Sequence, residues 1–133
     1  MFEETAENQK LNQITEKIIG FAISVHRVLG PGLLESAYEE CLCFEMMQNK
    51  LGFERQVSLP IIYKGVRLDC GYRMDVVVEN LVIVELKAVE RILPVHEAQL
   101  LSYLKIYNKK IGLLINFHVP ILKSGLKRIV NNL

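Results

Sequence analysis

The chain has 133 residues, half of them hydrophobic, with 16 basic against 15 acidic side chains and a formal charge of +1. That length makes one domain, residues 1–133, around a single core, and the near-neutral balance excludes a strong overall field for nucleic acid. No apolar run approaches a signal peptide or a membrane span and the first residues are acidic, so a cytoplasmic protein with no membrane partner is expected.

The first residues are polar and read as a frayed start. From Leu11 the apolar positions Ile14, Ile18, Phe21, Val25 and Val28 recur every three or four residues, which predicts an amphipathic helix ended by Gly30-Pro31-Gly32. A second helix is expected from about Leu33 to Asn49. Phe21, Phe44 and Phe53 are core candidates. Strand character then runs from Phe53 to Tyr63, with Pro60 marking an edge or a bulge. Lys64-Gly65 predicts a hairpin turn into Val66-Arg67-Leu68, and Asp69-Cys70-Gly71 a bend. Pro94 suits a helix start, so Val95 to Tyr107 is read as helical. Ile111 to Phe117 is a short buried strand. The basic tail from Leu122 to Val130 fits either a last edge strand or a helix. Cys41, Cys43 and Cys70 lack the paired spacing of a zinc site and are expected to be structural, in a reducing compartment.

The most informative stretch is Gly71 to Val89, where two β-branched runs flank Glu79-Asn80. A turn centred on Asn80 places Asp75 opposite Glu85, with Cβ atoms roughly 4.5–5.5 Å apart on one face. Lys87 and Arg73 project from that face too. These four charges fit an exposed cross-strand ladder, or two carboxylates converging on a divalent cation. Val76, Val78, Leu81, Ile83, Val84 and Leu86 fill both faces, which counts against a solvated ladder.

Asp75 followed by Glu85-Leu86-Lys87 resembles the D-x(n)-E-x-K signature of the PD-(D/E)XK nuclease superfamily. Gly32-Leu33-Leu34-Glu35-Ser36-Ala37-Tyr38 resembles the string that names the small GxxExxY family within it, and Gln99-Leu100-Leu101-Ser102-Tyr103 is similar to a Q-x-x-x-Y element of its RecB-like branch. The resemblance implies an α/β fold with an α-β-β-β-α-β core, a mixed sheet flanked by helices, and one extra helix in front. It implies a nuclease, a hydrolase of phosphodiester bonds, that uses Mg²⁺ (with Mn²⁺ as a substitute) to cut DNA or, less favoured, RNA, and that can act as a homodimer.

By the same resemblance, Asp75, Glu85, the Leu86 carbonyl and Glu35 would be metal ligands. Asp75, Glu85, Lys87, Glu35 and Gln99 would be catalytic, and Tyr103, Tyr38 and Arg73 would hold substrate. From the residues themselves, Glu35 is also favoured by the dipole of the helix it starts. His96, Gln99 and Tyr103 share one helix face, which fits a plain polar surface as well. No aromatic residues interleave with the basic ones, so stacking on a strand is not expected. A non-catalytic nucleic-acid- or protein-binding module with the same fold is the rival reading.

Overall fold

The computed structural model describes residues 5–132. In chain order the elements are α1 (Ala6–Leu29), α2 (Glu35–Gln48), β1 (Phe53–Ser58), β2 (Ile61–Tyr63), β3 (Val66–Leu68), β4 (Arg73–Val78), β5 (Val82–Lys87), α3 (Pro94–Tyr107), β6 (Ile111–Asn116), a 3₁₀ turn (Leu122–Gly125) and β7 (Leu126–Val130). Five strands form one mixed sheet in the order β1-β4-β5-β6-β7, while β2 and β3 make a separate hairpin. Only β5 and β6 are parallel, as the crossover through α3 requires.

Helices cover both faces of the sheet. On one face α1 and α2 bring Leu11, Ile18, Ala22, Tyr38, Leu42 and Met46 against Val76, Val84, Leu86 and Leu113. On the other, Leu100, Tyr103 and Leu104 of α3 meet Val77, Ile83, Leu114 and Met74. This explains why β5 and β6 read as unbroken apolar runs rather than alternating ones: both faces are buried. Each such Leu, Ile or Val contributes about 1.5–3 kcal/mol by leaving water.

The expected α/β order is therefore present, with two differences. The long strand read from Phe53 breaks at Leu59-Pro60, and its second half turns away into the β2–β3 hairpin, because Pro60 has no N–H for a continuing ladder. The tail, left open between strand and helix, is the edge strand β7, antiparallel to β6. The second helix starts at Glu35 and stops at Gln48, slightly inside the expected span.

Some expected core positions are exposed. Val28 is 83% and Phe44 54% accessible, so neither packs into the core. Among the cysteines, Cys43 is buried and its thiol is pushed up to about 11, first by burial. Cys70 is exposed in the bend before β4, so it does not pack as a small apolar side chain. No described helix is long and apolar enough to cross a membrane.

Candidate active site

The β4–β5 turn is tight because Glu79 and Asn80 both take positive φ (53° and 55°), as a twisted two-residue turn demands. The Leu81 N–H closes it on the Val78 carbonyl at 2.9 Å. Register follows from the turn: Val78 pairs with Val82, Val77 with Ile83, and Val76 with Val84. One step further the regular ladder stops at Asp75 and Glu85. There the side chains take over the backbone's partners. The Asp75 N–H donates to Glu85 Oε1 at 3.2 Å, and the Leu86 N–H donates to Asp75 Oδ2 at 2.9 Å.

Asp75 is also skipped by the other neighbour strand. On β1, Arg55 pairs with Val76 and Val57 with Met74, but Gln56, which would face Asp75, has a positive φ of 51°. A non-glycine residue in that region stores of order 1 kcal/mol or more of strain. The side-chain phase shifts accordingly: Val76 and Val78 face α1 and α2, whereas Met74 faces α3. Gln56 is held in place by its amide, which donates to Glu39 Oε1 at 2.9 Å, and Arg55 donates twice to Glu39 Oε2. A loosened ladder at this one position frees the Asp75 carboxylate to lie between strands.

Electrostatically the pair is a single unit. Glu85 is 5% exposed, and its carboxyl is pushed up to about 9, first by burial and then by the Asp75 charge. Part of the rise is offset by the Asp75 N–H that Glu85 accepts and then by the nearby Lys87 ammonium. Burial beside another acid therefore favours the protonated Glu85 carboxyl unless a cation takes the proton's place. Because the Lys87 carbonyl accepts from the Phe117 N–H on the β6 side at 2.9 Å, the Leu86 carbonyl points the other way, toward Asp75. Two carboxylates and a backbone carbonyl are hard oxygen donors, so the set fits Mg²⁺ or Mn²⁺.

Lys87 is half-buried at the end of β5 and completes the cluster of Asp75, Glu85 and Leu86. Glu35 does not join it. The residue is exposed in the first turn of α2, in the layer on the opposite face from Tyr103, and among the described residues no three His, Cys, Asp or Glu side chains gather as a metal-binding group. Tyr38 needs correcting as a substrate contact, because it is fully buried. Its hydroxyl donates to the Gly30 carbonyl at 2.6 Å and accepts from the Leu33 N–H at 3.1 Å, and its ring stacks on Phe117 at 4.3 Å. In G-x-x-E-x-x-Y, then, the tyrosine braces the turn before α2, where Gly32 has a φ of 103°, while the glutamate faces solvent.

On α3, Gln99 is exposed and Tyr103 is nearly buried. Tyr103 lies near the carboxylates, and its hydroxyl is pushed up to about 12 by burial and then by the Glu85 charge. His96 caps its own helix, its Nδ1 accepting from the Leu93 N–H at 3.0 Å. Arg73 is exposed at the start of β4. Tyr72, beside it, sets its ring edge-on to Tyr103 at 5.9 Å, an aromatic pair that sequence reading missed. Asn116 was missed as well. Buried at the end of β6, its amide donates to the Val89 carbonyl and accepts from the Val89 and His118 N–H groups, clamping the chain that leaves Lys87. A polar residue ending an otherwise apolar run was the available signal.

Compared with known proteins, residues 12–129 match a family model of the PD-(D/E)XK nuclease superfamily. No curated protein and no solved structure matches the chain.

Proposed function

The chain belongs to the PD-(D/E)XK nuclease superfamily, and on that premise we propose that it is a Mg²⁺-dependent nuclease hydrolysing phosphodiester bonds, with DNA the favoured substrate and RNA the alternative. The observation that carries this reading is the release of the β4–β5 ladder at Asp75 and Glu85, which leaves two carboxylates facing each other beside Lys87. A purely structural hairpin would continue its backbone pairing there. Asp75, Glu85 and the Leu86 carbonyl would hold the ion, which when bound supplies charge stabilisation at the phosphate and an acidified water.

The chain's own groups do the rest. Lys87 presents a cation fixed on a rigid strand, so it stabilises negative charge building on the phosphate without reorganising. Arg73, exposed at the mouth of β4, is placed to hold a neighbouring phosphate. Gln99 faces outward on α3 and can position substrate or water by hydrogen bonds. Asn116 keeps the end of β5 in register with β6 and so keeps Lys87 on station.

The test is cleavage of single-stranded and duplex DNA and of RNA with Mg²⁺, by the parent and by Asp75→Asn and Glu85→Gln. Cleavage lost in both folded variants is expected, while equal cleavage by parent and variants overturns the reading. One observation favours the non-catalytic module instead: Glu35 stands apart, so among the described residues no third acid meets Asp75 and Glu85. A nucleic-acid complex unaffected by Lys87→Ala, with no cleavage under any metal, would decide for it.

A further inference from the structure

Beside the carboxylate pair, a groove of about 360 Å³ runs between α3 and the base of the β2–β3 hairpin. Ile61, Tyr72, Val95 and Ile106 wall it, and Gln99 and Ser102 supply its polar groups. None of its lining side chains carries a charge at neutral pH. The Tyr72 ring is 44% exposed yet held edge-on by the buried Tyr103, so one aromatic surface is both fixed and open. Tyr103 also lines the groove and lies on the same side of the sheet as Ile83, two residues before Glu85.

From these features the geometry points to a base pocket: the groove takes one unpaired nucleobase of the strand being cut, stacked on Tyr72 and hydrogen-bonded by Gln99 and Ser102. The inference rests on the nuclease reading and narrows its substrate to a strand with an unstacked base beside the scissile phosphate. Walls without a cationic side chain disfavour a phosphate, whose charge needs one. They suit a planar heteroaromatic ring, whose faces are apolar and whose edge wants an amide that both donates and accepts. A base inside an intact duplex is stacked on both faces and paired along that edge, so it must be extruded before it can enter. Tyr72 immediately precedes β4, three residues before Asp75, so a nucleotide seated on it lies at the end of the strand that carries the carboxylate. The arrangement supplies the aromatic contact that the sequence pattern did not lead one to expect.

The experiment uses a short single-stranded DNA carrying one fluorescent adenine analogue, titrated with the parent protein in Ca²⁺, and the same analogue within a duplex. Stacking on Tyr72 should quench the single strand. Tyr72→Ala should abolish the quenching and weaken binding about ten-fold, Tyr72→Phe should retain both, and duplex binding should stay unchanged. Ala98→Trp, at an exposed groove position that leaves the core intact, should block the pocket to the same extent. Parent-like quenching in Tyr72→Ala or in Ala98→Trp overturns the pocket, as does equal loss of single-strand and duplex binding. If the parent cuts nucleic acid but these variants cut single strands and duplexes as it does, the pocket falls and the nuclease reading stands. Tyr72-dependent quenching without cleavage of any nucleic acid has the opposite meaning.

Discussion

Replacing Glu85 by Gln should make the metal-free protein more stable, and increasingly so as pH rises. Burial and the Asp75 charge raise the Glu85 carboxyl from an ordinary 4.5 to about 9. Between those values the folded chain keeps a proton that the unfolded chain has released. Stability therefore falls with rising pH, by about 1.4 kcal/mol for each pH unit inside that window. From pH 5 to pH 8 the loss attributable to this one group is roughly 4 kcal/mol. Gln keeps an oxygen to accept the Asp75 N–H and offers a permanent N–H in place of the Glu85 proton, so the variant escapes the loss. The assay is urea unfolding of both proteins in a chelator across that range. The expected result is a steep decline for the parent and a shallower one for Glu85→Gln, with the gap widening toward pH 8. Parallel curves would refute the reasoning, because they would mean that Glu85 is ionised and solvated like an ordinary surface acid. Saturating Mg²⁺ should reverse the order, since a ligand that binds only the folded state stabilises it and the variant lacks the second carboxylate charge.

Four further outcomes follow from local geometry. Gly125→Ala should cost about 3 kcal/mol or more in urea unfolding, because its Cβ would sit 2.2 Å from the Asn116 carbonyl oxygen, a backbone atom that cannot move aside. By contrast Gly20→Ala, with nothing within 4 Å in the middle of α1, should stabilise the protein by about 0.5–1 kcal/mol. Tyr38→Phe should cost about 1–3 kcal/mol by the same measurement, since it strands the Leu33 N–H and the Gly30 carbonyl that now share its hydroxyl. An unchanged midpoint would show that water replaces both bonds. Lys87→Met should lower single-turnover cleavage roughly 10²–10³-fold while leaving Mg²⁺ affinity in place, and a proportional loss of both would make the lysine structural.

The sequence was most legible where local rules act alone. The turn at Glu79-Asn80 and the opposed carboxylates were readable because antiparallel pairing is counted outward from a turn, and the observed register, with Val76 facing Val84, continues to that pair. The same holds for Pro94 at the start of α3 and Gly30 at the end of α1. What stayed hidden depends on tertiary packing. Val28 continues the apolar stripe of α1, yet nothing beyond the last turn covers it. Tyr38 looks like a site residue by its spacing from Glu35, but its hydroxyl is consumed by the turn that positions α2. Tyr72 carries no pattern of its own, and only the return of α3 over the sheet brings Tyr103 to its edge. The β2–β3 hairpin was foreseen as a turn, whereas its departure from the main sheet follows from Pro60 and the missing ladder bonds.

Calorimetric titration of Mg²⁺ and Mn²⁺ into the parent and into a folded Asp75→Asn variant, each with a short DNA present, tests the central claim most directly. The account predicts saturable binding by the parent that the variant loses, with affinity rising as pH rises because the ion must displace the proton held by Glu85. Binding that persists in the variant, or no binding by either protein, would contradict it and return the two carboxylates to a structural role in the hairpin.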